Sequence, residues 1–401
     1  AYTDYSVRSS PWRGGRGDVL AELAAAAREV GIGMGIYLSP WDRHEQSYGV
    51  TTEYNEYYLG QMAELLTGYG DIKEVFLDGA KEANATDMNY LFDCWFSFIH
   101  QLQPDAVIFS DAGPDSRWVG NEAGVAGRTC WSLFNQSAVT IGHTDERYSS
   151  QGDLYGHDWV PAECDVSIRP GWFWHSSEHP KSAIDLLEIY YKSVGRNCFL
   201  ILNVPPNSSG LISDEDLQVL QDFSKLRRAI FSNNLAQDAI ITANSTRGGI
   251  CDPSFVAPHI LQEGLQTYWA PKEGQPNWEI YLDLQKSKQF NVLQVQEPIQ
   301  MGQRVFEFHL DAVIGGKWQT VIYGTTIGHK RLLKFPLVKS QYLRFVIDGS
   351  RADPLIAYFG IHLDVSSPNP GAHNASVSSS SNGNQFIQLP ACKANTDTAT
   401  L

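Results

Sequence analysis

Residues 74–80 have the sequence EVFLDGA, a short apolar strand that ends in a carboxylate. Residues 75–77 form an apolar run of strand type, and the small Gly79 and Ala80 leave room for a ligand beside Asp78. Enzymes built on parallel barrels hold their chemistry at this end of their strands, so Asp78 is a candidate catalytic acid. An Asp-Gly pair also opens ordinary turns, and the flanking sequence must decide between the two interpretations.

Short apolar strands and amphipathic helices alternate on both sides of this stretch. Further strands are predicted at residues 34–39, 106–111 and 198–204. Helices are predicted at residues 19–30 (capped by Asp18 and ended by Gly31), 53–66, 91–102 (capped by Asp87), 184–194 and 213–230. This alternation is typical of βαβ units and a parallel sheet, which we expect to end near residue 232.

The pattern changes after residue 239 to the alternation of a β-sandwich, with turns about every ten residues. Phe306, Phe308 and Leu310 alternate with Glu307 and His309, which places one face in a core and the other in water. We therefore predict a sandwich over residues 233–365. Residues 366–401 are rich in Ser, Asn and Pro, and we predict a disordered tail.

The composition narrows the class of ligand. The 30 basic and 45 acidic residues leave a formal charge of −15, which argues against nucleic acid and anionic membranes as partners. No apolar stretch is long enough to span a bilayer. Neutral ligands fit this charge better, and the 12% aromatic content suits sugar pockets as well as ordinary packing.

The cysteines and the glycosylation motifs indicate the cellular compartment of the protein. Six cysteines lie far apart without a C-x-x-C pair, so disulfides are allowed but zinc or redox chemistry is not indicated. N-x-S/T motifs begin at Asn84, Asn135, Asn207, Asn244 and Asn374. We predict a secreted, extracellular glycoprotein. The chain starts without Met, and we expect its natural N-terminus to lie upstream.

A second carboxylate follows the predicted strand 106–111, in the segment that contains Trp118 and Glu122. A glycosidase needs one carboxylate to attack or activate water and another to protonate the leaving oxygen. Asp78 and Glu122 form the natural pair, and burial beside Trp118 would keep Glu122 protonated. The alternative is that Glu122 is a solvated loop residue.

The segment 159–175 offers further charged side chains. Glu163 is a rival for the acid role, because it lies among several aromatic residues. Asp165 and Arg169 lie in the same segment, and for them we favour a structural pair over a catalytic one. No P-loop, H-E-x-x-H or G-x-S-x-G pattern occurs.

Together, five segments resemble the retaining α-L-fucosidase family of glycoside hydrolases, and more narrowly its plant-type α-1,3/1,4 branch. They are YLSPWDRH (37–44), FLDGA (76–80), WVGNE (118–122), IRPGWF (168–173) and LNVPP (202–206). The resemblance implies that Asp78 is the nucleophile and Glu122 the acid/base. It also implies a fucose pocket formed by Tyr37, Trp41, His44, Trp118, Arg169 and Trp172, with no metal and no organic cofactor.

The same resemblance implies the architecture. It predicts a (β/α)₈ TIM-type barrel over residues 1–232, followed by a discoidin-like, galactose-binding-like sandwich over 233–365. Relatives in the family carry a strand-rich segment with a His-His-Asp-Gly motif before the point where this chain begins. We therefore expect a barrel that lacks its first strands. The sandwich is expected to support the barrel rather than to bind sugar.

The implied activity is hydrolysis of terminal α-1,3/1,4-linked fucose from an oligosaccharide or a glycoprotein glycan by a retaining two-step mechanism. If the chain is from a plant, the apoplast or cell wall is the implied site. One alternative is a non-catalytic carbohydrate-binding protein, because the first barrel strands are absent from the sequence. Another is a retaining exo-glycosidase of different specificity.

Overall fold

A parallel sheet lies in the first half of the computed structural model, which describes residues 2–80, 85–249 and 253–366. The strands up to residue 203 are β1 (Met34–Tyr37), β2 (Ile72–Phe76), β3 (Val107–Ser110), β4 (Ser116–Trp118), β5 (Leu133–Phe134), β6 (Asp158–Trp159), β7 (Ala162–Ser167) and β8 (Cys198–Asn203). The sheet has the order β1-β2-β3-β4-β7-β8, and each neighbouring pair is parallel. β5 and β6 form a separate antiparallel pair. The carboxyl ends of the six strands therefore meet along one edge.

Six α-helices in the described residues flank and separate these strands, and all of them except the short helix Glu146–Gln151 were predicted. They are α1 (Val19–Val30), α2 (Thr51–Gly68), α3 (Phe92–Leu102), α4 (Glu146–Gln151), α5 (Ala183–Lys192) and α6 (Asp214–Phe231). Short 3₁₀ turns occur at Val7–Ser9, Trp12–Gly15, Gln136–Ala138, Pro253–Phe255, Ala257–Leu261 and Ile299–Met301. Asp18 caps α1 by accepting a hydrogen bond from the Ala21 N–H at 2.9 Å, and Gly31 ends that helix with a φ of 72°.

The predicted start of α3 is wrong. The helix begins at Phe92, with Leu91 at its N-cap, rather than after Asp87. The side chain of Asn55 on α2 accepts a hydrogen bond from the Leu91 N–H at 2.8 Å. A tertiary contact therefore fixes the entry to this helix, where the sequence suggested a local cap.

α2 and α3 cover one face of the sheet. The Tyr58 and Trp95 rings stack with centroids 3.8 Å apart, and both side chains are buried. Val75 of β2 and Ile108 of β3 pack into the same cluster. Burial of a large apolar side chain contributes about 1.5–3 kcal/mol, so this layer holds β1 to β3 in place beneath the helices.

The opposite face of the sheet is rich in polar side chains. Successive residues of a strand point to opposite faces, so Glu163 and Asp165 of β7 face away from Ala162 and Cys164, which pack in an apolar cluster. This face is open at the edge strand β8, where Phe199 is 62% exposed, but Glu163 and Asp165 on β7 are buried. The polar side chains therefore form a row that leads to the carboxyl edge.

An antiparallel sheet follows α6. Its strands are β9 (Ile240–Ala243), β10 (Trp278–Gln296), β11 (Val305–Ile314), β12 (Lys317–Gly324), β13 (Arg331–Ser350) and β14 (Tyr358–His362). The order is β12-β11-β13-β10-β14, and β9 also pairs with β10. Phe308, Leu310 and Phe345 are fully buried in its core, as the alternation predicted, but Phe306 is 37% exposed because the register of β11 shifts between Val305 and Phe308. The chain thus combines a parallel and an antiparallel sheet.

The two sheets are in contact. Leu187 and Tyr191 on α5 pack against Val292 and Leu332 of the antiparallel sheet. The backbone of Gly195 accepts a hydrogen bond from the Leu332 N–H at 2.9 Å. Both apolar packing and backbone hydrogen bonds therefore join them.

Several predicted features lie outside the described residues. These are residues 367–401 of the predicted tail, Asn84, Asn374, Cys251 and Cys392. Within the described ranges, Cys94, Cys130, Cys164 and Cys198 are free. Among these same residues, no helix has the length and apolar character needed to cross a bilayer.

Candidate active site

The carboxyl ends of β1 and β2 bring Tyr37 and Asp78 together. The Tyr37 hydroxyl donates a hydrogen bond to Asp78 Oδ2 at 2.7 Å, and the Ala80 N–H donates to Asp78 Oδ1 at 2.8 Å. Burial, together with the hydrogen bond to Asp78 and its charge, raises the pKa of Tyr37 well above the usual value. The hydroxyl therefore remains a donor, and the half-buried Asp78 carboxylate is held in one orientation.

Asp111 lies beside Asp78, just after β3. The Gly142 N–H donates a hydrogen bond to Asp111 Oδ2 at 2.6 Å. Burial raises the pKa of Asp111, and the charge of Asp78 adds to the rise. A Cβ atom at Gly79 would lie 2.5 Å from the same Asp111 oxygen, so any larger residue at this position would displace the Asp111 carboxylate.

Asp165 on β7 is the hydrogen-bond partner of Trp118 on β4. The Trp118 indole N–H donates a hydrogen bond to Asp165 Oδ1 at 2.7 Å. Burial is the main cause that raises the pKa of Asp165 to about 6; the charges of Glu122 and Asp78 contribute to the rise, and the hydrogen bond from Trp118 opposes it. This hydrogen bond joins the carboxyl end of β4 to β7.

Glu163 lies deeper in the same face, two residues before Asp165. The Ser116 hydroxyl donates a hydrogen bond to Glu163 Oε2 at 2.7 Å. Burial and the neighbouring charge of Glu74 raise the pKa of Glu163 to about 8, so this side chain is a neutral acid at pH 7. It is 2% exposed, which leaves it out of reach of a substrate at the edge.

Replacement of Glu163 by glutamine is expected to flatten the pH dependence of stability. The native chain holds a proton on Glu163 up to about pH 8, whereas the unfolded chain loses it near pH 4.5, so the wild-type free energy of unfolding falls as pH rises through this window. One proton corresponds to about 1.4 kcal/mol per pH unit, and glutamine removes this contribution.

Urea unfolding of Glu163→Gln between pH 5 and pH 8, the window bounded by the pKa shift of Glu163, measures the effect. Ser116→Ala is the matched control, because it removes the hydrogen bond but keeps the titrating carboxyl. If the free energy of unfolding of Glu163→Gln falls with pH as steeply as that of the wild type, the prediction that Glu163 is buried and protonated is wrong.

Glu122 follows β4 in a turn that Gly120 enters with a φ of 90°. The Asn121 amide donates a hydrogen bond to the Val125 carbonyl at 3.0 Å, and its oxygen accepts one from the Ala123 N–H at 3.2 Å. These bonds fix the turn on both sides of Glu122. Its side chain is exposed, so the predicted burial beside Trp118 is wrong: the indole N–H instead binds Asp165.

The other predicted pocket residues also follow strand ends at this edge. Trp41 is half-buried beyond β1, and the exposed His44 stacks on Tyr5 with centroids 3.8 Å apart. Trp172 lies beyond β7 and is 36% exposed. The Asn203 side chain at the end of β8 donates a hydrogen bond to the Trp172 carbonyl at 3.0 Å. Aromatic rings therefore lie along the same edge as Asp78.

The structure gives Arg169 structural contacts. Its Nε donates to Asp216 at 3.0 and 3.1 Å, and its Nη2 donates to Ser213 Oγ at 2.9 Å. Its Nη1 donates to the carbonyls of His175 and Glu178. Arg169 is 2% exposed, so this guanidinium joins the loop after β7 to the start of α6. The predicted Asp165–Arg169 pair is wrong, because Arg169 pairs with Asp216.

Replacement of Arg169 by methionine is expected to lower the free energy of unfolding by about 3–5 kcal/mol, since Asp216 would be left buried without its partner. Urea unfolding monitored by circular dichroism measures the loss. The control Arg228→Met, at an exposed position on α6, should change stability by less than about 0.5 kcal/mol. A double variant, Arg169→Met with Asp216→Leu, should recover part of the loss. If Arg169→Met were as stable as Arg228→Met, a structural role for the Arg169–Asp216 pair would be contradicted.

Sequence reasoning missed several groups at the edge. Asp111 ends a predicted strand, and this position alone could have marked it as a neighbour of Asp78. Glu74 and His143 carry no comparable sequence signal. In the described ranges, no group of three or more His, Cys, Asp or Glu side chains is arranged to hold a metal ion.

Comparison with known proteins gives consistent matches. The Alpha-L-fucosidase family model matches residues 2–228. A protein of Arabidopsis thaliana, Alpha-L-fucosidase 1, is 61% identical over 366 residues, and the match covers 90% of this chain and 72% of that protein.

Solved structures agree with the sequence matches. The crystal structure of SpGH29 superposes with a TM-score of 0.85 at 38% identity, covering 90% of this chain and 81% of that one. A Ruminococcus gnavus GH29 fucosidase in complex with fucose has a TM-score of 0.81 at 31% identity, with coverage of 90% and 78%. These matches extend over both sheets.

Proposed function

The chain belongs to the alpha-L-fucosidase family and is an enzyme of that class, and from this premise we propose that Asp78 and Glu122 hydrolyse terminal α-1,3/1,4-linked fucose with retention of configuration. The observation that supports the assignment is the hydrogen-bonded Asp78 carboxylate at the carboxyl end of β2, with Glu122 following β4 of the same parallel sheet. Retaining glycosidases hold such a pair about 5–5.5 Å apart. No observation favours the non-catalytic alternative.

Asp78 is the nucleophile in this proposal. Its two oxygens accept hydrogen bonds from Tyr37 and from the Ala80 backbone, so the carboxylate is oriented before substrate arrives. It attacks the anomeric carbon of the α-L-fucoside from the face opposite the leaving group, and the glycosidic C–O bond breaks. The product of this step is a β-linked fucosyl-enzyme.

Glu122 protonates the departing glycosidic oxygen in the first step and deprotonates water in the second. Its exposed position beyond β4 suits this double role, because the leaving sugar and the water must both reach it. Water attacks the fucosyl-enzyme from the α face and releases α-L-fucose and the free Asp78 carboxylate. Retention follows from two inversions at the same carbon.

Tyr37, Trp41, His44, Trp118 and Trp172 form the fucose pocket in this proposal. Aromatic rings pack against the C–H faces of sugars, and imidazole and indole N–H groups donate to hydroxyls. The neighbouring structure of the Ruminococcus gnavus fucosidase holds fucose, which supports fucose as the bound sugar here. Arg169 acts by holding the Trp172 loop against α6.

Proton NMR of the hydrolysis of an aryl α-L-fucoside in deuterated buffer tests the mechanism. α-L-Fucose is expected to appear first, followed by slow mutarotation, and initial release of β-L-fucose would overturn the retaining assignment. A panel of fucosylated trisaccharides with α-1,2, α-1,3, α-1,4 and α-1,6 linkages tests the proposed specificity. Preference for α-1,2 or α-1,6 linkages would overturn it.

We extend the proposal to the architecture and the compartment. The parallel sheet is part of a (β/α)₈ barrel over residues 1–232, and the antiparallel sheet is a discoidin-like sandwich over residues 233–365 that supports it.

The protein is a secreted glycoprotein in this proposal, because the motifs at Asn135, Asn207 and Asn244 lie in non-buried loops. Mass spectrometry of tryptic peptides from the native source should find glycans at these sites, and their absence from all three would argue against secretion.

A further inference from the structure

Arg331 at the start of β13 is a buried arginine with unpaired nitrogen atoms. The residue is 5% exposed. Its Nε and Nη1 atoms are buried and have no hydrogen-bond acceptor in the part of the chain that the structure describes. An unpaired guanidinium in a protein interior costs several kcal/mol in most settings, so a compensating group is expected.

The charged side chains that act on this region are also arginines, so they add to the positive charge around Arg331. Arg196 pairs with Arg331 through an antiparallel backbone bridge, and its charge acts directly on the Arg331 guanidinium. Arg128 acts in the same way on Arg196. In the described ranges, neither Arg196 nor Arg331 forms an ion pair with a carboxylate. The buried Arg331 and the half-buried Arg196 thus lie on paired backbone positions in a chain whose formal net charge is −15.

The described part of the chain places no carboxylate in an ion pair with Arg331. Burial and the charge of Arg196 lower the pKa of Arg331 to about 10, so it remains protonated at neutral pH. The Cys130 thiol also acts on Arg331, but burial raises the pKa of this thiol to about 11. A neutral thiol is only a weak acceptor. Water could accept the hydrogen bonds but could not balance the charge.

We propose that a small inorganic anion such as chloride binds between Arg331 and Arg196, at the contact between the two sheets. The unpaired Nε–H and Nη1–H of Arg331 are its donors, and the half-buried Arg196 supplies the second positive charge. Arg331 belongs to the antiparallel sheet, whereas Arg196 precedes β8 of the parallel sheet. The anion therefore bridges the two sheets and stabilises their contact, independently of the hydrolytic reaction.

Thermal unfolding of the full chain at constant ionic strength tests this proposal, with chloride progressively replacing bulky gluconate. Chloride is expected to raise the Tm by about 2–4 °C, because a ligand that binds only the native state stabilises it. Arg331→Met and, separately, the half-buried Arg196→Met should lose this response. Arg228→Met, which removes an exposed charge on α6, should keep it.

A direct observation completes the test. Crystals of the full chain soaked in bromide should show an anomalous peak between Arg196 and Arg331. If the wild-type Tm does not depend on chloride and no bromide peak is present, water alone satisfies these groups and the proposal is overturned. A chloride response that persists in both Arg331→Met and Arg196→Met would also overturn it, since the binding would then lie elsewhere.

Discussion

Replacement of Asp78 by glycine is expected to lower kcat for an aryl α-L-fucoside by at least about four orders of magnitude, on the scale of other enzymes that lose their nucleophile. The covalent intermediate cannot form without the Asp78 carboxylate, and the exposed Glu122 attacks no carbon in this mechanism. The vacated space also admits azide, which can attack an activated fucosyl substrate directly. That single inversion would give β-L-fucosyl azide, identifiable by NMR.

Two controls separate chemistry from folding. Tyr37→Phe keeps the Asp78 carboxylate but removes the 2.7 Å hydrogen bond, and should lose roughly 10- to 100-fold in kcat. Asp222→Asn, at a carboxylate on the exposed side of α6, should retain wild-type activity. Asp78→Gly with native circular dichroism and kcat within tenfold of the wild-type value would show that another group is the nucleophile.

The strands that the sequence predicted are those with apolar residues on consecutive positions. β2 and β3 follow this rule, because each is covered by helices on one face and lined by Phe76 and Phe109 on the other. β4 and β7 were not predicted. β7 alternates small or apolar residues with Glu163 and Asp165, yet all six of its residues are buried. A strand with polar side chains on one buried face has no continuous apolar run, and strand prediction depends on such a run.

The site could be predicted only in part, for a related reason. The proposal of Asp78 and Glu122 as the catalytic pair comes from the motif resemblance, and Asp78 lies at a strand end as the sequence predicted. The partners of the other side chains are distant in sequence: Trp118 binds Asp165, and Arg169 binds Asp216, each 47 residues away. Propensity and periodicity describe neighbours within a few residues, so such pairs appear only when the sheet is assembled.

The row of acids on the inner face limits which carboxyl can exchange protons with substrate. Glu163 is neutral at pH 7 and buried beneath the edge, whereas Asp165 has a pKa of about 6 and its Oδ1 already accepts the Trp118 hydrogen bond. Glu122 is the exposed member of this group. Because an acid/base must meet both the leaving oxygen and water, exposure favours Glu122 over its rival Glu163.

Replacement of Glu122 by alanine is therefore expected to have effects that depend on the leaving group. In a natural glycan the leaving group is a sugar alcohol, which departs poorly unless its oxygen is protonated. The kcat/KM for glycans should therefore fall by about 10²–10⁴. An aryl fucoside with an acidic phenol needs no such proton, so its first step should be nearly unchanged and the fucosyl-enzyme should accumulate as a burst. Stopped-flow measurement of phenol release against single-turnover release of fucose from a glycan distinguishes the two steps.

Azide and a rival variant complete this test. Azide needs no general base, so it should restore turnover of the aryl fucoside by Glu122→Ala and yield α-L-fucosyl azide, the opposite anomer to that expected from Asp78→Gly. Glu163→Gln should show neither the leaving-group dependence nor the rescue, since its carboxyl is buried beneath the edge. If instead Glu163→Gln shows both effects and Glu122→Ala shows neither, the acid/base is Glu163, and the edge must open far enough for substrate to reach the inner face of β7.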